Sequence, residues 1–230
     1  MRGDHRGKII YHGSDHIITQ PRFGVGKPYN DYGVGFYCTE DPDMAKEWGV
    51  GLDRNGYANR YRISCDGLRI LELNGPGRTM LHWLTILLEN RVFDTPSPLA
   101  AEAKAYLMEN FHLDTSDADI ITGYRADDSY FSFASDFISG AISYRQLCSA
   151  MRLGKLGQQF VLKSPAAFQR LEFLGYETAD SGEWYQRKAL RDRTARRQYF
   201  DVERNRRQRG DIYITAILDE EMKPDDPRLR

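Results

Sequence analysis

DYGVGFYCTEDPDMAKEW, residues 31–48, decides how this chain reads. Gly33 and Gly35 flank a single residue, a spacing that lets backbone take positive φ or come close to a ligand. Phe36-Tyr37-Cys38-Thr39 follows as a short β-prone run. Asp41-Pro42 then carries a helix start, with Asp41 as the N-cap and Pro42 at the first helical position. The expected order is glycine loop, strand, helix, with a tyrosine between loop and helix. A lone Gly-x-Gly more often turns a corner than holds a ligand, so the stretch needs company elsewhere in the chain.

Upstream, Lys8-Ile9-Ile10-Tyr11-His12 reads as a first strand that ends at Gly13-Ser14. Residues 15–30 contain Pro21, Gly24, Gly26 and Pro28 and read as loop. Downstream, strands are expected at 59–64, 68–73, 119–126 and 158–163, from alternating or continuous apolar runs. Helices are expected at 79–89, 99–111 and 133–153, the last broken near Gly140. A short helix runs from Ser164-Pro165 to Leu171. Early and middle strands interleaved with helices give an α+β class. No repeat or linker divides the chain, so one domain over 1–230 is expected, with a motif-bearing core at 8–173.

Composition narrows the function. The 41% hydrophobic and 28% charged residues describe a globular chain with enough apolar side chains for a core. A net charge of −1 excludes a globally basic nucleic-acid binder. Cys38, Cys65 and Cys148 are odd in number and far apart, which offers neither a disulfide framework nor a zinc pattern and favours a reducing, cytoplasmic setting. MRGDHRGKII carries no apolar core, so no secretory leader is expected, and no apolar run is long enough to span a bilayer. From Gln186 to Arg209, ten cationic side chains face three acidic ones, a net of +7. That reads either as a solvated helical face or as a patch for phosphates or an acidic partner. The apolar pattern of 211–218 then brings the basic extension, residues 183–230, back onto the body.

His12-Gly13-Ser14 and Gly33-Val34-Gly35-Phe36-Tyr37, with Ala45 in the helix beyond, together resemble the ADP-ribosyltransferase superfamily. The likeness is to its His-Tyr branch, which includes diphtheria toxin and the poly(ADP-ribose) polymerases. That branch has a third motif, a glutamate opening a late strand; here Gln158-Gln159-Phe160-Val161-Leu162 matches in pattern, with Gln159 in the glutamate's place. The chain also looks like an uncharacterised bacterial branch often encoded beside small partner proteins.

The resemblance implies a split, two-sheet core and NAD⁺ as co-substrate without a metal. It implies cleavage of the nicotinamide–ribose bond and transfer of ADP-ribose to a protein or nucleic acid, as a bacterial toxin restrained by an antitoxin-like partner. His12 would hydrogen-bond a ribose hydroxyl, and Gly13 would present backbone to the nicotinamide amide. Tyr37 would stack on the nicotinamide. Ser14 would add a hydrogen bond, Gly35 would admit the ligand, and Trp48 would form a second wall or belong to the core. Gln159 can hydrogen-bond a ribose but brings no charge. Asp127 and Asp128, in RADDSY, are the alternative acids. An NAD⁺ hydrolase, or an inactive NAD⁺- or nucleic-acid-binding module, remain the rival functions.

Overall fold

A computed structural model describes residues 7–95, 97–126, 128–155 and 157–230, with residues 128–130 and 155 described by backbone alone. The chain runs β1 (Lys8–Ser14), β2 (Phe36–Cys38), α1 (Pro42–Gly49), β3 (Gly56–Ile63), β4 (Ile70–Glu72), α2 (Met80–Asn90), α3 (Pro98–Phe111) and β5 (Ile120–Tyr124). It continues through α4 (Asp128–Ile138), α5 (Tyr144–Ala150), β6 (Gln158–Leu162), α6 (Pro165–Gln169), β7 (Leu171–Ala179), α7 (Ser181–Asp201) and α8 (Ile214–Asp219).

Two sheets form. One is antiparallel in the order β1-β3-β7; the other has the order β2-β6-β5-β4, with only β4 and β5 parallel. Strand alternation assigns the faces. Phe160 and Leu162 of β6 point into a core shared with Ile10, Tyr61 and Ile63 of the first sheet. Val161, one residue out of phase, points to the opposite face, where Tyr32, Leu73 and Ile121 meet Leu84, Leu87, Phe133 and Ile217 of the helical layer. The architecture is therefore sheet, sheet, helices, and the α+β class with two sheets holds.

Local chemistry explains the element ends. The Asp41 carboxylate accepts the N–H groups of Asp43 and Met44, as its N-cap position requires. Thr79 and His82 form a reciprocal cap on α2, and Ser143 and Gln146 form another on α5. The helical run expected at 133–153 is two helices, parted at Gly140, whose φ of 76° suits glycine alone. The expectation missed β7 entirely. Its residues are mostly half-exposed, and it pairs along the length of β3, so its stability comes from the partner ladder and not from an apolar pattern of its own.

A short backbone bridge joins the two sheets. Tyr11 N–H donates to the Thr39 carbonyl at 2.7 Å, and Thr39 N–H to the Tyr11 carbonyl at 2.9 Å. Helix α1 lies across β1 and β3, and glycines make that approach possible. A Cβ on Gly13 would stand 2.0 Å from the Ala45 carbonyl oxygen, and one on Gly56 would stand 2.3 Å from that of Gly49. Among the described residues no helix is long and apolar enough to cross a membrane.

In this packing the missing side chain of Gly13 makes room for helix α1. Gly35 is similar, since its Cβ would meet Val161 Cγ1 at 2.6 Å and the Leu162 carbonyl at 3.0 Å. Gly13→Ala is therefore expected to destabilise the fold by about 1–3 kcal/mol or more, because backbone cannot yield as a side chain can. Urea unfolding measures it; a midpoint equal to wild type would show that α1 can lift from β1 at no cost.

Candidate active site

His12, Gly13, Gly35, Tyr37, Trp48 and Gln159 all line one cleft of about 780 Å³. They come from β1, the loop before β2, β2 itself, α1 and β6. Tyr37 pairs with Val161 across the β2–β6 ladder, and Gln159 lies two residues from Val161, so strand alternation puts Tyr37 and Gln159 on one face. Ser14 does not line the cleft. Its hydroxyl donates to the His16 carbonyl at 2.5 Å and accepts from Asn59 Nδ2 at 3.0 Å, tying the loop after β1 to β3.

The cleft opens where β1 and β2 part. After the Tyr11–Thr39 bridge, the next rung of an antiparallel ladder would join Gly13 to Tyr37. Instead the His12 ring takes that rung, with Nδ1 2.7 Å from the Tyr37 carbonyl oxygen and the imidazole stacked on Phe36 at 4.2 Å. A carbonyl only accepts, so Nδ1 carries the proton and Nε2 keeps a free lone pair. Burial pulls the imidazole down to about 4, further than the Tyr37 bond raises it, and His16 lowers it slightly more. His12 is thus a neutral acceptor at physiological pH, suited to a ligand hydroxyl.

Tyr37 is held by its hydroxyl, which accepts Tyr32 N–H at 3.0 Å and donates to the Gly33 carbonyl at 2.6 Å. Burial raises its pKa well above the ordinary tyrosine value. With the hydroxyl occupied by its own loop, only the ring remains to meet a ligand. The same loop is pinned from β6: Lys163 Nζ donates to the Tyr32 carbonyl and, at 2.7 Å, to the Val34 carbonyl. Gly33, at φ 69°, makes the turn.

Trp48 forms a wall of the cleft, with the Arg125 guanidinium 4.4 Å from its ring centroid. Its indole N–H is buried without a hydrogen-bond partner among the described residues, an uncommon state for a strong donor. The cationic side chains Arg22, Lys27, Arg91, Arg125 and Lys188 line the cleft, against the single carboxylate of Asp31 among the described residues. Such a wall attracts phosphates.

Asp31, Arg91 and Arg125 are the residues that sequence reasoning left without a role. Asp31 stands directly before the Tyr-Gly-Val-Gly run, and Arg125 opens RADDSY two residues before its first acid; nothing local marks Arg91, at the end of α2. Asp31 is 5% exposed, and its Oδ2 accepts both Ala126 N–H at 3.0 Å and Gln159 Nε2 at 2.7 Å. Gln159 therefore turns an N–H inward to a buried carboxylate. Asp127 lies outside the described residues, as does the side chain of Asp128.

The basic segment divides. Arg191 clasps Glu47 of α1 at 2.5 and 2.8 Å, Arg187 lies over Trp184, and Arg196 pairs with Asp192. Arg193, Arg197, Arg207 and Arg209 face solvent, and Lys188 reaches the cleft. Among the described residues no group of three His, Cys, Asp or Glu side chains is placed to hold a metal.

The depressed His12 value fixes a sign. Between about pH 6.5 and pH 4 the unfolded chain binds a proton at this imidazole that the folded chain refuses, so stability falls as pH drops through that window. Lowering the pH from about 7 to 5 should cost about 1–2 kcal/mol through this residue. His82, lowered by burial, adds the same sign, so His12→Gln isolates the difference. Urea midpoints of both proteins at both pH values check it; equal pH slopes would refute the neutral assignment.

No curated protein and no solved structure matches the chain. A family model described as Protein of unknown function (DUF3990) matches residues 8–173, from the first residue of β1 into β7, and the chain belongs to that family.

Proposed function

We propose that this protein is an ADP-ribosyltransferase that cleaves NAD⁺ at the nicotinamide–ribose bond and passes ADP-ribose to a macromolecule. The observation that carries the reading is the convergence of His12, Tyr37 and Gln159, far apart in sequence, on one cationic cleft. These are the positions at which the sequence resembles the His-Tyr branch.

The residues suit the ligand. The His12 Nε2 lone pair accepts a ribose hydroxyl. The Tyr37 ring offers a face to the nicotinamide, and ring–ring contact favours the cationic form of that base. The orphaned Trp48 N–H supplies a donor for the amide or a phosphate oxygen, and Arg91, Arg125 and Lys188 balance the diphosphate. Cleavage leaves positive charge on the ribose, as in glycoside hydrolysis.

A macromolecular acceptor suits the rim better than water does. The loop over the cleft exposes Phe23, Val25 and Tyr29, at 51%, 75% and 68%, beside Arg22 and Lys27. Exposed apolar side chains next to cations are a surface for a large partner. A role as a toxin held by a small antitoxin-like protein would use the same rim.

Wild-type protein incubated with NAD⁺ should release nicotinamide and leave label on protein or nucleic acid in a cell lysate. Trp48→Phe keeps the ring and removes the donor, so it should weaken NAD⁺ binding by about 1 kcal/mol, roughly fivefold. Tyr37→Leu should cost about 1–3 kcal/mol, the range for one lost aromatic stack. Calorimetry decides; no heat of binding with wild type would end the reading. Release of nicotinamide with all label in free ADP-ribose would make the protein a hydrolase.

A further inference from the structure

We propose that Asp31 is the catalytic carboxylate of this cleft and that Gln159 is its positioning residue. The inference rests on the ADP-ribosyltransferase reading and supplies the charge that Gln159 lacks. In this arrangement the Asp31 carboxylate, and not the Gln159 amide, meets the ribose from which nicotinamide leaves.

The geometry is specific. Asp31 Oδ2 receives two N–H groups, from Ala126 and Gln159, so it is an acceptor and the amide orientation of Gln159 is fixed. Oδ1 accepts no hydrogen bond among the described residues, and the Arg91 Nε stands 3.9 Å from it. The contacts that serve the fold need one acceptor oxygen, which an asparagine would provide equally well. The negative charge and the second oxygen are surplus to packing. A buried carboxylate whose ion pair is as long as the 3.9 Å to Arg91 is costly to keep, and such groups concentrate at functional sites.

Gln159 lies in the middle of this arrangement for a structural reason. It is the second residue of β6, between β2 and β5, and is 3% exposed. Gly123 stands opposite it on β5. The side chain is therefore anchored on a central strand and holds an acid that belongs to a loop. A rigid element fixes the reactive group by one hydrogen bond.

The step balances without an added reactant. The bond between the ribose C1′ and the nicotinamide nitrogen breaks, and its electron pair leaves with nicotinamide, which becomes neutral. The Asp31 carboxylate offsets the positive charge left on the ribose. A nucleophilic oxygen or nitrogen of the acceptor then bonds to C1′, and the proton it sheds goes to the carboxylate and on to water. Burial raises the Asp31 pKa, while Ala126, Gln159, Arg91 and Arg125 draw it back. Tyr32 and Tyr37, its other titratable neighbours, are kept neutral by burial.

The test measures nicotinamide release and, separately, NAD⁺ affinity by calorimetry, with circular dichroism of each variant. Asp31→Asn keeps the Oδ2 contacts and should lower kcat by about a hundredfold or more, leaving the Kd within about threefold. Gln159→Leu should lower kcat less, by about tenfold, and move the acid limb of its pH profile upward, because a hydrogen bond to the charged form is lost. Gln159→Glu should slow the enzyme, since two adjacent carboxylates share a proton. Near-wild-type kcat in Asp31→Asn, or acceleration by Gln159→Glu, would overturn the assignment, as would a loss confined to Asp127→Asn or Asp128→Asn. A wild-type protein that releases no nicotinamide would instead remove the reaction itself, and the role of Asp31 with it.

Discussion

Helix α1 rests on the first sheet with backbone against backbone, and most of the site hangs from that contact. The approach is possible because Gly13, Gly49 and Gly56 have no side chains at the seam. Once α1 is seated, its other side chains reach outward to separate parts of the chain. Glu47 binds Arg191 of α7, Lys46 meets Glu177 of β7 and the face of Trp184, Met44 touches Arg125, and Trp48 walls the cleft. The Glu47–Arg191 pair is largely buried, at 10% and 15% side-chain exposure, so removing one partner leaves a charge without compensation. The basic extension is in this way tied to the element nearest the cleft, and its cationic character is partly spent on structure.

A second set of forces holds the glycine loop. Lys163 grips the Tyr32 and Val34 carbonyls, Tyr37 closes on Gly33, Tyr32 donates to the Tyr124 carbonyl, and Asp31 takes the Ala126 N–H. Residues 31–34 are in this way bonded to Tyr37 of β2, Tyr124 of β5, Gln159 of β6 and the residues Ala126 and Lys163 that follow those last two strands. Burial lowers the Lys163 pKa, and Glu89 opposes the shift. The floor of the cleft is therefore fixed from several strands at once.

Much of the order in the chain was legible from local signals. Asp41-Pro42, Thr79 and Ser164-Pro165 start helices because a side-chain oxygen meets free N–H groups within one turn, and that chemistry needs no distant partner. Apolar runs marked β5, β6 and α2. Strand β7 escaped because it is mostly half-exposed and gains its order from pairing with β3. For Gly13 and Gly35 the sequence signalled close approach but not what approaches, and the structure shows helix α1 against the one and strand β6 against the other.

The sequence by itself determined the starts of α1, α2 and α6, every strand but β7, and the likeness of His12, Tyr37 and Gln159 to a known set of motifs. Each rests on contacts within a few residues or on pattern along the chain. Only the tertiary structure decided that Gln159 faces Asp31 across 128 positions, that Arg91 and Arg125 join the cleft wall, and that Ser14 turns away from it. Those outcomes depend on strand order and on where the sheets part. Strand order is set by the summed burial of two cores, and no short stretch of sequence encodes that sum.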